Sequence, residues 1–92
     1  MKIYKTHELK VWSQYFKALF TRVKKFEIRK DDRKFEVNDA LLLREWSPLD
    51  EKYTGTYLKY KITYKVEGGK FGIEKGYCCL GIEPIEEEGS KG

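Results

Sequence analysis

The chain has 92 residues, 40% of them hydrophobic, 15% aromatic and 37% charged, with a formal net charge of +4. That length suits one domain around one core. No stretch nears the roughly 20 apolar residues of a membrane span, and no short apolar run follows a basic start as in a signal peptide, so a cytoplasmic protein is expected.

The charge is unevenly placed. Residues 1–34 carry 11 Lys+Arg against 4 Asp+Glu, residues 35–82 carry 7 against 7, and residues 83–92 carry 1 against 4. A basic patch beside a neutral body is the electrostatic footprint of a polyanion binder, with nucleic acid ahead of a membrane surface because the charges spread over a strand and a loop.

Residues 3–11 read as a first strand. Trp12, Tyr15, Phe16, Leu19 and Phe20 then fall at i, i+3, i+4, i+7 and i+8, one face of a short helix that must bury an aromatic stripe against a sheet. Ser13 stands where an N-cap would accept from a free amide of the first turn. Residues 24–30 alternate, with Phe26 and Ile28 pointing one way and Lys25, Glu27 and Arg29 the other. Residues 31–34 form a polar loop, and Val37-Asn38-Asp39 reads as a turn, since Asn tolerates a left-handed backbone.

Residues 40–46 make a strand that starts apolar on both faces and so reads as central, and residues 47–55 a hairpin-like connection. The clearest strand covers 57–66, with Leu58, Tyr60, Ile62, Tyr64 and Val66 on one face and Tyr57, Lys59, Lys61, Thr63 and Lys65 on the other. Gly68, Gly69 and Gly72 punctuate a loop that lacks the spacing of a phosphate loop. Residues 77–82 close the sheet, buried on both faces. Residues 84–92 read as an acidic, flexible tail. One helix followed by strands gives an α+β domain with a strongly curved sheet or small barrel of about five strands.

Cys78 and Cys79 are adjacent, and neighbours on a strand point to opposite faces, so a bridge between them would need a strained backbone. The single histidine, His7, is remote in sequence, so the usual four-ligand zinc set is not assembled. Both cysteines read as small apolar residues. No metal and no cofactor are expected.

The strongest constellation is Lys24, Glu27 and Arg29, followed by Lys30, Arg33 and Lys34. Glu27 and Arg29 share one strand face, and a carboxylate there can hold a guanidinium or ammonium in a fixed pose toward a phosphate or base edge. The competing reading is a solvated face with ion pairs of about 0–1 kcal/mol. The lysines 59, 61 and 65 beside Tyr57 either track phosphates next to a stacking ring or keep the sheet soluble. His7, beside Glu8 and Lys10, is either a ligand contact or a structural histidine.

The run H-E-L-K at 7–10, the aromatic helix, K-x-x-E-x-R at 24–29, V-N-D at 37–39 and G-Y-x-x-L-G at 76–81 together resemble the ASCH domain family, and more narrowly a small phage-enriched branch of it. The similarity covers about residues 6–83. It implies a PUA-like fold, a β-barrel with one or two flanking helices and a cleft beside it, and RNA binding as the generic function.

Two positions depart from the family pattern: Arg22 stands where Gly is usual, implying a different helix end, and Asn38 replaces the Gly of V-G-D. Some relatives are amidohydrolases of acylated cytidine that use a lysine and a threonine. Carried over, the lysine falls on Lys24 but the threonine on Glu27, which cannot take that role. A ribonuclease using Lys24 with a hydroxyl or His7 as proton shuttle is the other enzymatic alternative.

The expected protein is thus a single ASCH-like, PUA-like domain over 1–83. It is read as an RNA-binding module without catalytic residues, favouring single-stranded or irregular RNA. Its cleft would be lined by Lys24, Glu27 and Arg29, with Lys10, Lys30 and Arg33 as phosphate contacts and His7 as a further ligand contact. The alternatives are a small hydrolase of RNA or a modified nucleoside, and a phage protein–protein interaction module.

Overall fold

Alternating side chains along five short segments force a sheet with one dry face, and a single helix supplies the cover. A computed structural model describes residues 5–85 of the chain. Among these, the elements are β1 (Thr6–Trp12), α1 (Ser13–Phe20), β2 (Phe26–Lys30), β3 (Ala40–Ser47), β4 (Lys52–Glu67) and β5 (Tyr77–Pro84). Residues 3–4 of the expected first strand and residues 86–92 of the acidic tail lie outside the described part. No helix among the described residues is long and apolar enough to cross a membrane.

The strand order is β1-β3-β4-β5-β2, with β1 parallel to β3 and the other pairs antiparallel. The two outermost strands, β1 and β2, do not pair with each other, so the sheet is a half-barrel and not a closed one. It curls far enough for side chains from the β2 side to reach β1. Arg29 Nη2 donates to the Lys10 carbonyl at 2.9 Å, and Arg33 Nη1 to the Glu8 carbonyl at 2.6 Å. Edge carbonyls of β1 that a neighbouring strand would otherwise satisfy are met by guanidinium groups.

The core fills the concave side: Leu9 and Val11 from β1, Phe16 and Leu19 from α1, Leu41 and Leu43 from β3, and Tyr60 and Ile62 from β4 all lie there. Only Phe16 and Leu19 of the aromatic helix stripe are buried. Tyr15 and Phe20 stay exposed, because so short a helix meets the sheet over little more than one turn, and Trp12 ends β1 on that strand's exposed face. Ser13 is not the N-cap. Trp12 precedes the helix without a side-chain cap, and the Ser13 hydroxyl donates to the Trp46 carbonyl at 3.3 Å.

The helix ends with Arg22 in the left-handed region, φ 66°. Val23 N–H donates to the Ala18 carbonyl and Arg22 N–H to the Leu19 carbonyl, each at 3.0 Å. This is a Schellman termination, so the arginine adopts the backbone that glycine would, at a cost of roughly 1–2 kcal/mol. The Tyr60 hydroxyl donates to the Leu19 carbonyl at 2.7 Å and ties this helix end to the sheet. Burial pushes the Tyr60 phenol up, and the Arg22 charge partly offsets that.

The strands differ from expectation in their bounds and in which faces they bury. The β3–β4 connection is confined to residues 48–51, and β4 begins at Lys52. A register shift between Ile62 and Tyr64 turns the later part of β4 over, exposing Tyr64 and sending Lys65 inward. Lys65 Nζ donates to the Phe35 carbonyl at 2.9 Å and pairs with Asp31 at 2.8 Å, while Lys61 pairs with Glu83 at 3.3 Å. The lysine stripe therefore does not form one solvated row. β5 runs on to Pro84 and is buried on one face only, through Cys78, Leu80 and Ile82. Cys78 and Cys79 are both free, and burial pushes the Cys78 thiol up. A Cβ at Gly68 would collide with the carbonyls of Glu74 and Tyr77, so the β4–β5 loop closes on glycine there.

Candidate nucleic-acid interface

β2 is an edge strand whose faces are the reverse of an ordinary amphipathic strand. Its hydrophobic residues Phe26 and Ile28 lie outward, Ile28 being 55% exposed, whereas Glu27 is 3% exposed. Burying an isolated carboxylate is costly unless its oxygens are paired. Here both are paired. Glu27 Oε1 accepts from Lys24 Nζ at 2.6 Å, and Oε2 accepts from Arg29 Nε at 3.0 Å with Nη2 at 2.9 Å.

The two cations remain partly open, with side chains 21% exposed for Lys24 and 26% for Arg29. They face a cleft of about 800 Å³ in the gap between β1 and β2. The aromatic rings of Trp12, Tyr15, Phe26 and Tyr77 line it, along with Lys10 and Lys30. Lys24 Nζ lies 5.6 Å from the Tyr15 ring centre and 5.5 Å from that of Phe26, at the outer limit of a cation–π contact. The pattern is a cationic pole on an aromatic wall.

The structure thus brings Lys24, Glu27, Arg29, Lys10 and Lys30 to one hollow. It places Arg33 and His7 elsewhere. Arg33 is engaged by the Glu8 carbonyl and lies 3.8 Å from Asp32. His7 is buried on the concave side of β1, with Nε2 2.8 Å from Asp39 Oδ2 and its ring edge-on to Phe35 at 4.7 Å. Asp39 also accepts from the Glu36 amide at 3.1 Å, and the turn that carries it has Asn38 at φ 81°. His7 with V-N-D is therefore a structural clasp between β1 and the start of β3.

Sequence reasoning missed the walls. The helix spacing puts Trp12 and Tyr15 on a face to be buried, although a stripe of five large residues on so short a helix is the sign that some are left over, and the alternation of β2 does not say that Phe26 lines a cleft. Among the described residues no group of three or more His, Cys, Asp or Glu is placed to hold a metal.

A family model described as "Domain of unknown function (DUF3850)" matches residues 6–82. The Escherichia phage P2 protein named "Uncharacterized 12.9 kDa protein in GpA 3'region" is 37% identical over 59 residues, which cover 64% of this chain and 52% of the phage protein. The chain spans about half the length of that curated relative. Since the family match takes in β1 through most of β5, including every residue that lines the cleft, the chain belongs to the DUF3850 family.

Proposed function

We propose that the protein is an RNA-binding module and that the cleft between β1 and β2 receives single-stranded or irregular RNA. The observation that carries this reading is Glu27, buried and fully occupied in holding Lys24 and Arg29 against an aromatic wall. A solvated ion pair needs no burial and no cleft. A carboxylate sunk beneath two cations fixes where their remaining donors point, and phosphate oxygens are the natural acceptors. The rings beside them offer π-faces to unstacked bases, which duplex RNA does not present.

A cleft beside a strongly curved sheet also agrees with the resemblance to the ASCH family, and a PUA-like half-barrel is the finer fold description we favour. Glu27 in place of the amidohydrolase threonine speaks for binding without turnover.

The test is binding of labelled single-stranded RNA by fluorescence anisotropy across a salt series. If Lys10, Lys24, Arg29 and Lys30 meet about four phosphates, log affinity falls with log salt at a slope near −3, at ~0.7 per phosphate. Lys24→Ala weakens binding by roughly tenfold, the scale of one charge-assisted hydrogen bond. A salt-independent affinity, or Lys24→Ala binding as tightly as wild type, overturns the reading.

A further inference from the structure

The outer face of β1, β3 and β4 carries a second ordered set of rings and cations. The strand register places Lys10, Arg44 and Tyr57 in one row across the three strands, and Trp12, Trp46 and Tyr53 in the next. The rows interlock diagonally. Lys10 Nζ sits 4.0 Å from the Trp46 ring centre, and Arg44 Cζ 3.9 Å from that of Tyr53. Trp46 and Tyr53 meet edge to face at 5.1 Å, and Glu8 holds Arg44 at 2.7 Å. Trp12 is 48% exposed and Tyr57 56%.

We infer that this outer face is a stacking platform for single-stranded nucleic acid, continuing the path of the strand held in the cleft. The inference rests on the cleft being an RNA site and extends it. Continuity is supplied by Lys10 and Trp12, which line the cleft and also occupy the first column of the platform. Exposed aromatic rings on a sheet are costly to leave in water, and here the half-exposed Trp12 and Tyr57 alternate with Lys10 and Arg44, which sit instead on Trp46 and Tyr53. That alternation matches a polymer of flat bases joined by phosphates, where rings stack bases without sequence preference and cations track the backbone. Neighbouring strands lie about 4.8 Å apart, so three of them spread the rings over roughly 10 Å, the scale of a few nucleotides and not of one.

The test compares an oligoribonucleotide dimer with an octamer, titrated into wild type and into Tyr57→Ala, Tyr57→Phe and Lys24→Ala. Tyr57 is solvent-facing, so its variants keep the fold, which circular dichroism verifies. Wild type should bind the octamer about tenfold or more tightly than the dimer, as expected for one or more additional stacked bases. Tyr57→Ala should lose most of that gain with the dimer affinity unchanged, and Tyr57→Phe, which keeps the ring, should retain it. The chain's two tryptophans, Trp12 and Trp46, both lie on this face, so the octamer should quench their fluorescence more than the dimer does.

Octamer binding indifferent to Tyr57→Ala overturns the platform and leaves the face to a protein partner. Octamer binding lost in Tyr57→Ala but intact in Lys24→Ala removes the cleft from the account, and with it the continuous path inferred here. No binding of either oligomer by wild type removes both.

Discussion

Glu27 and Asp39 are the acidic side chains that the described fold buries most deeply, and both lie on the concave side of the sheet, each against a basic residue. Asp39 meets His7 and a backbone amide in the interior, Asp39 being fully buried and His7 7% exposed. Glu27 meets Lys24 and Arg29, whose outer atoms open into the cleft. A buried carboxylate therefore does not by itself mark a binding site. What marks one is the accessibility of the cations it holds: the Asp39 clasp spends its polarity on joining β1 to β3, whereas the Glu27 cluster turns its polarity outward.

The comparison predicts opposite consequences for the two clusters. Asp39→Ala should lower the unfolding free energy by about 2–4 kcal/mol in a urea titration, because it strands buried polar groups. RNA affinity of the folded fraction should be unchanged. Lys24→Ala should shift the weight, weakening RNA binding roughly tenfold while stability falls by about 1–2 kcal/mol, since Glu27 Oε1 loses its partner but opens to the cleft and Arg29 still pairs Oε2. A loss of RNA binding in folded Asp39→Ala would erase the distinction between the two clusters.

Lys65 adds a third ion pair, away from the cleft. Burial acts to lower its pKa, but the Asp31 hydrogen bond and charge outweigh that and raise it above the ordinary 10.5. A raised lysine pKa contributes stability that is complete below the unfolded-state value and is lost as pH rises through the folded-state value. Stability of the wild type should therefore fall as pH climbs past 10.5, and Lys65→Met should flatten that part of the profile. The smallest effect is expected at the helix end. Arg22→Gly should raise stability by about 1 kcal/mol, relieving the left-handed arginine without touching the cleft.

The sequence showed the strands by their alternation and the helix by its spacing, because period-2 and period-3.6 patterns follow directly from backbone geometry. It also placed Glu27 and Arg29 on one face of β2, with Lys24 at the entrance to that strand. It did not show that this face points inward, since alternation alone cannot say which side of an edge strand is dry. Nor did it show the register shift near Thr63 that hides Lys65, or the curl that lets Arg29 and Arg33 span from β2 to β1. Those features arise from pairing between segments far apart in the chain. Arg22 is a different case: its place where Gly is usual implies a different helix end, yet the Schellman hydrogen bonds hold it in the left-handed region.

The central claim is that Glu27 positions cations instead of merely diluting their charge, and Glu27→Gln tests it most directly. The substitution keeps the shape of the side chain and makes the cleft one unit more positive. If Glu27 aims Lys24 and Arg29, RNA binding weakens despite the added positive charge. Tighter binding with a steeper salt dependence is what charge alone would produce, and it would contradict the account.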